Sequence, residues 1–280
     1  MTWGADLPPP ATRLRWRDWP RITLRLCLLV PLLFGGLGVL LILRLLERPV
    51  FGLRRPFTPY LTQNVCRMAL LILGLRLKHH GQPMTARGAV VANHASWLDI
   101  FVLNAADRVY FVAKAEVARW AGIGWLARAT GTVFIRRDRR DAARQKLLFE
   151  ARLRAGHRLL FFPEGTSSDG LRVLPFKSTL FEAFFAPELQ DFLYIQPVTI
   201  AYHPAAGQER HLYGWWGDMD FGGHLLYILA QSQRGHVDLV FHPALRVAEF
   251  PDRKHLSMAA EHAVKEGFDR AHKGQLPLVG

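Results

Sequence analysis

His94 and Asp99 lie five positions apart in Asn93-His94-Ala95-Ser96-Trp97-Leu98-Asp99, directly after the apolar run Gly88-Ala89-Val90-Val91-Ala92. Imidazole titrates nearest to neutrality of the common side chains, so it can take the proton of a hydroxyl that is becoming a nucleophile. A carboxylate on its other nitrogen fixes the tautomer and steadies the imidazolium. On one continuous helix, five residues turn the chain by about 500°, which leaves the two side chains roughly 140° apart. They meet only if a turn separates them. A buried strand over 88–92 and a helix over 97–105 would supply that turn, with His94 in the connection and Asp99 in the first helical turn. The same residues also fit a plain helix start: Ser96 to Asp99 is an S-x-x-D pattern, in which Asp99 is a cap and His94 an ordinary loop residue.

Three further blocks carry polar groups where strands end. Gly131-Thr132-Val133-Phe134-Ile135-Arg136-Arg137-Asp138 closes a short strand on two guanidinium groups, which suit an anionic head group through paired hydrogen bonds or form a solvated strand end. Leu159-Leu160-Phe161-Phe162-Pro163-Glu164-Gly165-Thr166-Ser167-Ser168-Asp169-Gly170 runs a buried strand into a turn-rich loop. There Gly165 lets the backbone approach a ligand and Thr166 offers a hydroxyl, unless the loop is only a turn. Ile195-Gln196-Pro197-Val198 opens another strand, with the proline tolerated at a strand start or sheet edge.

The elements that must position these groups follow from the pattern after Gly81, where short apolar runs alternate with helical ones. That alternation predicts an α/β fold with a mixed, largely parallel sheet flanked by helices. Strands are expected over 89–92, 109–112, 132–135, 158–162, 194–201 and 237–241, and helices over 116–129, 140–155 and 253–271. The chain divides into a basic N-terminal tail with two apolar membrane-anchoring helices (1–80) and a catalytic body (81–280). Residues 26–43 are free of charge; 18 residues give about 27 Å, close to the ~30 Å of a hydrocarbon core. Pro31 and Gly35-Gly36 interrupt the run, Arg25 and Arg44 flank it, and a second apolar helix is expected over 60–77. Spanning the bilayer and lying in its interface are equally compatible with this length. Leu45-Leu46-Glu47-Arg48-Pro49 offers no small-residue cleavage site, which argues against a secretory signal.

With 280 residues and 50% hydrophobic content, one sizeable core with an appendage is favoured over two equal domains. A net charge of +13 asks for an anionic partner: a lipid surface, an acidic protein or nucleic acid. The charge is scattered and no zinc finger, RNP-like block or basic zipper occurs, so nucleic acid is not expected. The basic run from Arg136 to Arg158 reads first as a solvated helix face and second as a surface for anionic lipid or an acidic acyl carrier protein. Trp215-Trp216 is either core or a rim at head-group depth. Cys27 and Cys66 have no companion at ligand spacing and read as buried free thiols of a reducing compartment. His79-His80 stands without a carboxylate pattern and no H-E-x-x-H occurs, so no bound metal is expected.

Taken together, the four blocks resemble the glycerolipid acyltransferases, which include bacterial 1-acylglycerol-3-phosphate acyltransferases, over roughly residues 78–245. The family's N-H-x-S-x-x-D, G-x-x-x-I-x-R, F-P-E-G-T and V/I-P-V blocks match positions 93–99, 131–137, 162–166 and 195–198, with Gln196 before the last proline. The resemblance implies His94 as general base, Asp99 as its orienting partner, and Arg137, Glu164, Gly165 and Thr166 as acceptor-binding groups. The co-substrate would be an acyl-acyl carrier protein or acyl-CoA, the acceptor a lysolipid, and the place a bacterial-type inner membrane with the catalytic domain facing the cytoplasm. No G-x-S-x-G elbow occurs, which favours direct transfer over an acyl-enzyme. Ser167 stands where many members carry arginine. The stretch from Phe162 to Lys177, with Trp215-Trp216-Gly217-Asp218-Met219, looks more like the lyso-ornithine lipid acyltransferase branch. On that reading Arg137 would meet an ornithine carboxylate and Glu164 an ammonium. Arg172 and Lys177 would compensate if the acceptor were lysophosphatidate. A non-catalytic membrane scaffold leaves the joint presence of His94, Asp99, Arg137 and Glu164 unexplained.

Overall fold

The charge-free run forms the middle of one long helix, α1 (Trp19–Phe51). The computed structural model describes residues 3–4, 14–120, 122–135 and 142–276. At 33 residues, α1 is about 50 Å long. Among the described residues it lies in the one helix long and apolar enough to cross a membrane, and little of its apolar stretch is buried. Cys27, expected to be buried, is exposed on it. The chain then turns back into α2 (Thr58–Leu73). Gly36 makes the close approach possible: a Cβ there would stand 2.9 Å from Val65 Cγ2.

The two helices expected to anchor the chain differ in kind. At 16 residues, α2 is about 24 Å long, short of a hydrocarbon core, and it buries Cys66, Ala69, Leu70 and Leu73 against the body. It also ends sooner than expected. Gly74 adopts φ +77° and donates to Leu70 and Leu71, closing the helix. The next residues, read from the sequence as its last turn, are instead a sheet strand, β1 (Leu75–His80). Arginines at the ends of the apolar run are spent on structure: Arg21 and Arg25 donate to Ala230 and Leu229 carbonyls, and Arg44 to that of Gly52.

The remaining elements are β2 (Gly88–Ala92), α3 (Asp99–Ala106), β3 (Val109–Lys114), α4 (Ile123–Thr130), β4 (Val133–Ile135), α5 (Ala142–Arg154), β5 (Arg158–Phe161), α6 (Pro187–Gln190), β6 (Tyr194–His203), α7 (Phe221–Ala230), β7 (Gly235–Phe241), β8 (Leu245–Arg246) and α8 (Arg253–His272). The single helix expected over 116–129 is broken into a 3-10 turn (Ala115–Arg119) and α4, with Gly122 at φ +71° between them. The strands form a sheet of order β1-β7-β6-β2-β5-β3-β4, with β8 paired to β6. Pairings are parallel except β6 with β7 and with β8, so the mixed, largely parallel sheet read from the sequence is what forms.

Alternate residues of β2 feed opposite faces. Val90 and Ala92 pack with α1, α2, α3 and α7, while Ala89 and Val91 pack with the 178–185 segment and α8. A strand covered on both faces reads as a continuous apolar run. Part of the basic run is internal rather than a solvated face. Arg152 is 8% exposed and donates to the Gly131 carbonyl, and Arg158 pairs with buried Asp107 at 2.5 Å and also binds the Met84 carbonyl.

Candidate active site

The site forms where β2 and β5 end side by side, the place at which parallel sheets present loops to ligands. Asn93, the first residue after β2, is buried and clips the loop to β6: its Nδ2 donates to the Ile200 carbonyl (2.9 Å) and its Oδ1 accepts the Ile200 N–H (2.8 Å). His94 follows, and its Nδ1 lies 2.7 Å from Asp99 Oδ2. A carboxylate only accepts, so Nδ1 carries the hydrogen and Nε2 keeps its lone pair. The imidazole stacks on Phe162 at 4.0 Å between centroids and 9° between planes, and retains 21% side-chain exposure.

Asp99 is fully buried and receives four donors. Its Oδ2 accepts the N–H groups of Ala95 (2.8 Å) and Ser96 (3.1 Å) besides His94, and its Oδ1 accepts the Tyr202 hydroxyl at 2.6 Å. The helix-start reading and the dyad reading are thus both realised in one side chain. The reciprocal half of the capping box is missing, because the Ser96 hydroxyl is buried without a hydrogen-bond partner among the described residues. Burial, and then the charge of Asp99, push the Tyr202 phenol well above its usual range, so it stays a donor.

The loop after β5 closes over the dyad. Ser168 N–H donates to the His94 carbonyl (2.9 Å), and Lys177 N–H to that of Pro163 (3.0 Å). Gly165 adopts φ +73°, and a Cβ there would meet Lys177 Nζ at 2.9 Å, so the glycine serves both turn and close approach. Lys177 is exposed, and its ammonium has no bonded partner among the described residues. Thr166 is half-buried, with its hydroxyl 3.4 Å from the Trp3 N–H. Glu164, expected to meet an ammonium, is 2% exposed; Oε1 accepts the Leu174 N–H (3.2 Å), and Oε2 has no aligned hydrogen-bond partner among the described residues. Burial raises its carboxyl well above the usual range, against the Leu174 and His94 N–H groups that pull it down. Its position supports the loop from beneath. Arg172 is already engaged by Asp169 at 2.9 and 3.2 Å. Arg137 lies outside the described residues.

Tyr202 had no sequence signal; Phe162 and Trp215 lie in segments the sequence singled out, but not as the stacking partner of His94 or as the residue whose backbone N–H donates to the Ala95 carbonyl (2.8 Å). Trp216 is buried and Trp215 half-buried against Trp120, so the pair divides between core and site wall. The arrangement suits proton abstraction by Nε2 from a hydroxyl brought to the exposed edge of the ring, with the imidazolium held by a carboxylate that its other donors keep from reorienting.

The acyltransferase family profile matches residues 76–201. The chain is 53% identical to a lyso-ornithine lipid O-acyltransferase of Rhodobacter capsulatus, over 95% of this chain and 96% of that protein. It is 38% identical to a 1-acyl-sn-glycerol-3-phosphate acyltransferase of Neisseria gonorrhoeae over 41% of this chain and 46% of that one. The crystal structure of the 1-acyl-sn-glycerophosphate acyltransferase PlsC from Thermotoga maritima shares the fold, with a TM-score of 0.67 at 24% identity over 91% of this chain and 96% of that one. With such identity along nearly its whole length to a lipid O-acyltransferase, the chain is an acyltransferase and belongs to the glycerolipid acyltransferase family.

Proposed function

We propose that this acyltransferase moves a fatty acyl group from an acyl thioester, on acyl carrier protein or coenzyme A, to the hydroxyl of lyso-ornithine lipid. The observation that carries the reading is the 2.7 Å contact between His94 Nδ1 and an Asp99 carboxylate locked by three further donors. In the proposed step the lipid hydroxyl gives its proton to His94 Nε2 as its oxygen attacks the thioester carbonyl. The tetrahedral intermediate collapses, the C–S bond breaks, and the departing thiolate takes the proton back from the imidazolium. Asp99 stabilises the transient charge. Cys27 and Cys66 stand on α1 and α2, and no acyl-enzyme enters the scheme.

The charge that the loop leaves free supports this acceptor. Ser167 replaces an arginine of many family members, and Arg172 is neutralised by Asp169. That leaves Lys177 beside Gly165 for the ornithine carboxylate, to which the family resemblance adds Arg137. Thr166 would hydrogen-bond the head group, while Glu164 holds the loop. A lysophosphatidate, with its denser negative charge, is the second reading, favoured by the same unpaired Lys177 ammonium. The long apolar α1 would hold the protein on an anionic inner membrane with its catalytic body on the cytoplasmic side.

Purified protein with an acyl thioester and each lysolipid in turn tests both levels. His94→Ala should lower turnover about 10²-fold or more without releasing the protein from membranes. Strong turnover of lysophosphatidate with none of lyso-ornithine lipid would reject the acceptor, and undiminished turnover by His94→Ala would reject the mechanism.

A further inference from the structure

Beyond the dyad, the sheet gathers a second set of histidines that no spacing in the sequence groups. In the antiparallel register of β6 and β7, His203 faces His236 and Ala201 faces Asp238. Because side chains alternate along a strand, His203, His236 and Asp238 share one face. One ligand atom from each lies within 4.8 Å of the others. From Asp238 Oδ2, His203 Nε2 is 3.0 Å away and His236 Nε2 3.7 Å. In a tetrahedral zinc site with bonds of about 2.0–2.1 Å, neighbouring ligand atoms stand about 3.3 Å apart.

Two details bear on what this cluster can hold. His203 Nε2 is buried and lies 3.0 Å from Asp238 Oδ2, close to the separation of two ligand atoms on one ion. Asp238 is also held in place from behind. His80 Nε2 lies 2.9 Å from Oδ1, which leaves Oδ2 for a ligand, the kind of outer support that metal-binding carboxylates receive. His236, with 33% side-chain exposure, gives access from solvent. Its ring stacks on that of His203, 4.6 Å between centroids and 14° between planes, so His236 must turn about its soft χ2 torsion before both lone pairs meet on one ion.

We propose that His203, His236 and Asp238 bind a divalent transition-metal ion, zinc by the chemistry of two imidazoles and one carboxylate, with water completing the tetrahedron. His236 and Asp238 stand two apart on β7, but His203 joins them only through the β6–β7 register, which is why the sequence led to no expectation of a metal. The site is separate from the catalytic chemistry yet adjoins it in the chain: His203 follows Tyr202, whose side chain points to the opposite face and holds Asp99. The ion would staple the end of β6 to β7 beside the last turn of α8, where the His272 ring lies 5.2 Å from that of His203. Arg76 and Lys78, which pair in register with His236 and Asp238, oppose a cation, so a moderate affinity is expected.

The test uses the full chain in detergent, stripped with a chelator and titrated with zinc chloride by calorimetry, with thermal unfolding in parallel. The wild type should take one equivalent and unfold at a higher temperature with zinc; His236→Ala, at an exposed position, should lose both effects, and His94→Ala should keep them. Identical isotherms for wild type and His236→Ala, or binding lost in His94→Ala, would overturn the proposal. Cobalt(II) gives a reading that needs no variant: the unmodified protein should show the intense visible bands of a four-coordinate ion, and the weak spectrum of a six-coordinate one refutes the site.

Discussion

Tyr202→Phe removes one hydroxyl from a packed position and so isolates what holds Asp99. The donor and acceptor are 4% and 0% exposed, 2.6 Å apart. A hydrogen bond to a charged group contributes about 1.5–3 kcal/mol, and stripping it leaves a buried carboxylate oxygen bare. The three donors on Oδ2 remain, so a loss of about 2 kcal/mol is expected, or about 4–8 °C in Tm for a body of this size. Catalysis should change in a way that packing alone cannot mimic. Without Tyr202 the negative charge of Asp99 concentrates toward His94 and favours the protonated ring. The acid limb of the kcat/KM profile should then move to higher pH, by up to about one unit, since one unit corresponds to 1.36 kcal/mol. The assay pairs thermal unfolding with a pH–rate profile measured with acyl thioester and lysolipid. An acid limb that stays in place, or moves to lower pH, would refute the view that Tyr202 tunes the dyad, whatever happens to Tm.

Asn93→Ala should lose about 2–4 kcal/mol, because it deletes two buried hydrogen bonds and strands the Ile200 N–H and carbonyl; urea unfolding measures it, and a loss under 1 kcal/mol would show that the loop is held elsewhere. Burial lowers the His224 imidazole to about 4 from 6.5, where its Nδ1 accepts the Trp97 indole N–H. Since the folded value lies below the unfolded one, its stability contribution is full above pH 6.5 and is lost as pH falls from 6.5 toward 4. The stability gap between wild type and His224→Gln should therefore narrow by about 1 kcal/mol from pH 7 to pH 5.5 in parallel denaturant titrations, and a gap independent of pH would contradict the buried neutral imidazole.

Near-neighbour patterns were enough to read the α/β class, the strand that delivers His94, the turn that separates it from Asp99, and the loop around Gly165. Strand alternation, helix starts and glycine turns are all decided within a few residues of chain. The same local reading carried the second apolar helix through Leu77, because Leu75 and Leu77 continue an apolar run and Gly74 marks its stop only through a left-handed backbone. It also took Arg152 and Arg158 for a solvated face, when each had a carbonyl or carboxylate waiting from another element. Whether Asp99 is a cap or a catalytic partner was open in the sequence, and the fold made it both. Tyr202 reaches Asp99 across 103 residues, Asn93 reaches Ile200 across 107, and His203 meets Asp238 through the β6–β7 register. Sheet order and register bring such partners together, and these depend on how two apolar faces are covered at once, which no local window of residues contains.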